Sequence, residues 1–152
     1  MSVGLGSEDE AEAHMSAENK VLIKRWFEEV WNRGRTPAID ELVSPQVVVH
    51  GLGPAPMDIA AFKQFHTMYR TAFPDVRIQV DDVITEGDKV AVRWSGSGTH
   101  RGDSLGFPAT GTGVQFAGMT IVRVENGKLV EGWNLFDQLG MLQQLGVVNL
   151  PV

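Results

Sequence analysis

No cysteine occurs in this chain. Disulfides, thiolate catalysis and cysteine-ligated zinc are therefore excluded, while the redox compartment stays open. Histidine is sparse: His14, His50, His66 and His100 are scattered. None of their spacings matches the two-histidine helix of a metalloprotease, so no metal is expected. Basic residues form no stripe. Of the formal net charge of -6, residues 1–18 supply -5 through Glu8, Asp9, Glu10, Glu12 and Glu18, with no Lys or Arg among them. The rest is nearly neutral and offers phosphates no electrostatic track, so nucleic acid is not an expected partner. No apolar run approaches the ~20 residues of a membrane span. The pattern of a secretory leader, basic and then apolar, is also lacking, so the expectation is a cytoplasmic protein without a membrane partner.

What is present suits one domain of residues 16–152 within a chain of 152, long enough to bury a core without staples. The opening "MSVGLGSEDEAEAHM" is small, acidic and aperiodic, and is expected to be a disordered tail or a cloning remnant over residues 1–15. From Ser16, a candidate cap, Leu22, Ile23, Trp26, Phe27, Val30 and Trp31 repeat at helical steps until Gly34. A short helix with Thr36 as cap and Pro37 in its first turn follows, then a strand "QVVVH" ending at His50. Beyond the Gly/Pro loop 51–57, Asp58 can cap a third helix that Pro74 stops at Phe73.

The remainder reads as two strand pairs, turning at "EGD" and at "ENGK", where Asn126-Gly127 is a strong tight-turn signal. Helix, helix, strand, helix and four strands give a segregated α+β class. A curved antiparallel sheet is expected to wrap three N-terminal helices and to leave an apolar cleft at one end. Alternation puts Asn134 and Phe136 on one face of the last strand, and Trp133, Leu135 and Asp137 on the other. On the preceding strand the Thr120 face suits the interior better than the Arg123 face, since an unpaired buried cation is costly. The apolar outer set then needs cover, and a homodimer packed sheet against sheet is expected. The alternative cover is the helices or the C-terminal segment "MLQQLGVVNLPV".

The fragments "FEEVWNRG", "VVVHG", "AFPD", "EGDKVAVRW", "GTHRG", "GFPATGT" and "VRVENGKLVEGWNLFDQLGMLQQLG", in this order and spacing, resemble the SnoaL-like polyketide cyclases. These belong to the cone-shaped fold typified by nuclear transport factor 2 and ketosteroid isomerase. The resemblance spans about Asn19 to Gly146. It implies a dimer, an apolar pocket in each subunit, no metal or other cofactor, and chemistry on polyketide-like or terpenoid-like rings. Family cyclases close a ring by aldol condensation with an Asp on the last strand and a His on the strand before it. The corresponding positions here are Asn134 and Thr120, and an amide cannot accept and return a proton as a carboxylate does.

Asn134 and Thr120 are accordingly candidates for holding a substrate oxygen. His50 and His100, each ending a strand, are candidate bases at the cleft mouth, with a loop-bonding role comparably open to both. Asp137 is a second-choice acid or base, although strand parity turns it away from Asn134 and favours a role bracing the following turn. Trp31, Trp94, Phe116 and Phe136 are candidate pocket walls. His66 is a core histidine or a polar pocket group, and the single tyrosine, Tyr69, is a hydroxyl donor. The expected function is a cofactor-independent enzyme for cyclisation, isomerisation or dehydration of a polycyclic substrate. Hydroxylation of such scaffolds and non-catalytic ligand binding are the alternatives.

Overall fold

The computed structural model describes residues 5–149 and Pro151. Helix α1 (Leu5–Arg25) runs directly into a π-helical segment (Trp26–Asn32). The expected tail is therefore helical from Leu5, while residues 1–4 lie outside the described residues. Two features of the sequence account for this helix: Ala, Glu and Met are good helix formers, and acidic side chains near an N-terminus favour the helix dipole. Ser16 is inside α1 and does not cap it; its hydroxyl bonds that of Thr85. Further along, Ile23, Phe27 and Val30 are buried as their spacing requires.

Helix α2 (Thr36–Leu42) has Pro37 in its first turn, but Arg35 occupies the cap position and no side chain bonds there. Strand β1 (Val43–His50) leads through the Gly/Pro loop to α3 (Ile59–Ala72). Asp58 caps α3, accepting from the Ala61 N–H at 2.8 Å. Strands β2 (Arg77–Glu86), β3 (Lys89–Thr99), β4 (Gly113–Glu125) and β5 (Lys128–Phe136) follow, and then α4 (Gln138–Gln144). The turn between β4 and β5 has Asn126 at φ 51° and Gly127 at φ 72°, the left-handed pair that matches strand twist in a two-residue hairpin.

The sheet order is β1-β5-β4-β3-β2. Strands β2 to β5 form an antiparallel meander, but β1 pairs parallel with β5, with His50 opposite Trp133. The expected antiparallel sheet holds for β2 to β5, and β1 departs from it, making the sheet mixed. The cause is topological. A crossover through α3 separates β1 from the meander, so β1 can join its far edge in the direction of β5.

The helices cover the inner face, where Val90, Val92, Thr120 and Val122 are buried. On the outer face Met119, Ile121 and Leu135 are 61%, 44% and 78% exposed. The described residues of the C-terminal segment do not cover them. Instead α4 folds over the open end of the sheet and buries Met141, with the Gln144 amide donating to the Gln115 carbonyl at 2.7 Å.

Gly51 joins β1 to its loop at φ 87°, and a Cβ there would lie 1.9 Å from the Asn134 carbonyl oxygen. Gly51→Ala combines a forbidden contact with a left-handed backbone. The expected loss of unfolding free energy in urea melts is about 2 kcal/mol or more; an unchanged midpoint would contradict this packing.

Candidate functional site

Between the helices and the inner face of the sheet lies a pocket with a cavity volume of about 100 Å³. Its walls are almost wholly apolar. Trp31 meets Phe62 and Phe65 edge-on, at centroid distances of 6.2 and 6.3 Å. Tyr69 lies 4.6 Å from Phe65 and edge-on to Phe136 at 6.0 Å. Flat, rigid walls of this kind present large apolar area with little rotamer freedom to lose.

The polar part of the pocket is a hydrogen-bond chain across four strands. Trp94 on β3 donates its indole N–H to the Thr120 hydroxyl on β4 at 3.1 Å. Thr120 donates to the Asn134 side-chain oxygen on β5 at 3.0 Å. Asn134 donates through Nδ2 to the His50 carbonyl on β1 at 3.1 Å. A donor-only indole at one end and an acceptor-only carbonyl at the other fix the direction of the chain. Turning the amide over would set its oxygen against the His50 carbonyl, so the orientation of Asn134 follows from its partners.

Glycine makes this reach possible. Gly118, paired opposite Trp94, leaves room for the indole: a Cβ there would lie 2.5 Å from the ring. Gly96 likewise admits Phe116, whose ring would be 2.5 Å from a Cβ. Tyr69 adds a phenol at the α4 end of the pocket, where Gln138 donates to its oxygen at 3.4 Å. Burial pushes the pKa of this phenol up, against a small opposing effect of Gln138, so near neutrality it carries its proton.

Asn134, Thr120, Trp31, Tyr69, Trp94, Phe116 and Phe136 are thus brought together on one pocket. The histidines and Asp137 are not among its walls. His50 does not reach the cleft mouth: its ring stacks on Trp133 at 5.5 Å, and Nε2 meets Glu131 at 2.8 Å, with Arg123 3.5 Å from the same carboxylate. The bond to His50, joined by Arg123, holds Glu131 below the usual carboxylate pKa against a lesser effect of burial. His100 is fully buried between Phe73 and Phe107. Its Nδ1 accepts the Thr110 N–H at 3.1 Å, which pins the loop between β3 and β4 rather than facing the pocket.

His66 lies one layer behind the wall, 5.0 Å from the Trp31 ring, and Nε2 donates to the Val30 carbonyl at 2.6 Å. Asp137 caps α4, accepting from the Gly140 N–H at 2.9 Å. Among the described residues no three His, Asp or Glu side chains converge as a metal site.

Met141 and the β1 residues Val43, Val47 and Val49 also line the pocket, and sequence reasoning did not single them out. Alternation in "QVVVH" held the signal for Val47 and Val49. The inward aim of Met141 depends on where α4 docks.

Comparison with known proteins settles the lineage. A family model described as SnoaL-like polyketide cyclase matches residues 21–145. The chain belongs to the SnoaL-like polyketide cyclase family. None of the curated proteins matches it in sequence. Among solved structures, AclR from Streptomyces galilaeus, a candidate hydroxylase, is 28% identical with a TM-score of 0.80, over 88% of this chain and 99% of that one. IdmH from Streptomyces antibioticus, a candidate polyketide cyclase, is 31% identical with a TM-score of 0.74, over 84% and 98%. A protein from Catenulispora acidiphila described by its ketosteroid isomerase-like fold shares the fold alone, at 16% identity and a TM-score of 0.69 over 86% and 97%. No helix among the described residues of this SnoaL-like chain is long and apolar enough to cross a membrane.

Burial holds the His66 imidazole below its ordinary pKa, with Arg70 adding to the shift and the Val30 bond opposing it. Below about pH 6.5 the unfolded chain therefore binds more protons than the fold, so this stability is complete above that pH and fades as pH falls toward the lowered value. Melting midpoints are expected to drop between pH 7.5 and 5.5, a window above the carboxylate range, and to drop less in His66→Asn, whose amide can still donate to Val30. Equal drops in both proteins would contradict the assignment.

Proposed function

We propose that this SnoaL-like protein is a cofactor-independent cytoplasmic enzyme acting on a polyketide-like or polycyclic substrate, by cyclisation, isomerisation or dehydration. The observation that supports it most is the Thr120–Asn134 pair, a fixed polar couple set into a largely apolar aromatic pocket. A pocket of this make-up favours a flat molecule that is mostly apolar and carries an oxygen at one edge.

Neither Asn134 nor Thr120 titrates near neutrality, so their part is to hold a substrate oxygen while charge grows on it. The second Nδ2–H of Asn134 and the Tyr69 hydroxyl are the available donors. In a ring closure of the aldol type, an α-carbon gives up a proton and its electron pair attacks a ketone carbon. The new alkoxide oxygen then takes up a proton. With the histidines outside the pocket wall, an ordered water carries that proton from carbon to oxygen, and the donors stabilise the enolate and alkoxide oxygens.

A second reading is hydroxylation of the same kind of scaffold. It draws support from the likeness to AclR and from an amide where family cyclases carry their acid/base Asp. A third is ligand binding without turnover. The exposed apolar set Met119, Ile121 and Leu135 supports a homodimer through the outer sheet face, as a closed two-fold interface.

Asn134→Ala is expected to lower turnover of an aromatic polyketide precursor about a hundredfold, the usual cost of one donor to a developing oxyanion; unchanged turnover sinks the role of Asn134. Cyclisation gained only in Asn134→Asp would favour hydroxylation or binding instead, and oxygen uptake by the wild type separates those two. Light scattering is expected to give twice the chain mass for the wild type and the single chain mass for Leu135→Glu. A monomeric wild type would refute the dimer.

A further inference from the structure

The indole of Trp94 does more than wall the pocket. It is a donor with no capacity to accept, and it occupies an acceptor position of the Thr120 oxygen at 3.1 Å in a buried setting. The Thr120 proton is thereby left for Asn134, whose oxygen takes it at 3.0 Å. At the other end, the His50 carbonyl holds one Nδ2–H at 3.1 Å. Each acceptor atom in this chain thus already takes one protein donor, while the second Nδ2–H of Asn134 has no partner among the described residues.

We propose that Trp94 is a positioning residue that sets the hydrogen-bond polarity of the pocket, so that it selects ring ligands bearing a carbonyl over ones of the same shape bearing a hydroxyl. A ketone oxygen can accept from the open amide N–H. A ligand alcohol has to place its own O–H as well, and the Thr120 and Asn134 side-chain oxygens offer it only a second lone pair, each already accepting from Trp94 or Thr120. Loss of the indole N–H frees a lone pair on Thr120, and loss of the Thr120 hydroxyl frees one on Asn134. Either change gives a ligand hydroxyl an oxygen free of any protein donor, which the wild-type Thr120–Asn134 couple does not offer.

The inference rests on the pocket being a site for ring ligands, but not on which reaction follows. Its test is equilibrium binding, to the intact chain, of fluorene, 9-fluorenone and 9-fluorenol, three probes with one ring skeleton. Wild type is expected to bind the ketone more tightly than the alcohol. Trp94→Phe and the nearly isosteric Thr120→Val are each expected to reduce the ketone-to-alcohol affinity ratio about three- to tenfold, the equivalent of one hydrogen bond. Thr120→Ser, which keeps the hydroxyl, retains the wild-type ratio.

Fluorene affinity reports the integrity of the walls, so a ratio that changes while fluorene binding holds cannot come from damaged packing. An unchanged ratio in Trp94→Phe and Thr120→Val overturns the role of Trp94 and leaves the enzymatic reading standing. Absence of turnover on polyketide precursors does the reverse.

Discussion

One hydrogen-bond chain, Trp94 to Thr120 to Asn134 to the His50 carbonyl, ties four adjacent strands together on the face that the helices bury. Polar groups in such a place are costly unless each finds a partner, so strand register, side-chain parity and the parallel seating of β1 beside β5 must all agree for the chain to close. Gly118 and Gly51 are part of the same requirement. One clears the path of the indole, and the other lets β1 turn away beside the Asn134 backbone. The polar end of the pocket is therefore a property of the whole sheet.

The chain also separates two chemistries that sequence alone leaves mixed. Its members do not titrate near neutrality, and the one phenol nearby keeps its proton. The titrating cluster of His50, Glu131 and Arg123 gathers beside Trp133, and of its three members only Glu131 borders the pocket. The proposed role of the couple, holding and polarising a substrate oxygen, therefore rests on two side chains that carry no charge.

Much of the site was legible because alternation along a strand is rigid. Once Arg123 was assigned outward, Thr120 and Val122 had to face inward, and hairpin pairing across Asn126-Gly127 set Asn134 opposite Thr120. Three things were not legible. The direction of β1 depends on which edge it joins, which no local pattern records. The helix over Leu5–Met15 was hidden by its lack of an apolar stripe, although propensity favoured it. The choice between a cleft-mouth base and a loop-bonding role for His50 and His100 was not legible because a strand-end residue can point to either face: His50 follows the outward parity of Val48, and His100 takes the loop-bonding role with Thr110.

The account turns on whether the Trp94 indole really donates to Thr120. Hydrogen exchange of that indole N–H, followed by nuclear magnetic resonance in wild type and in Thr120→Val, reads this directly. Slow exchange in the wild type that quickens in the valine variant, while the other indoles keep their rates, is the expected result. A Trp94 indole that exchanges equally fast with and without the Thr120 hydroxyl would contradict it.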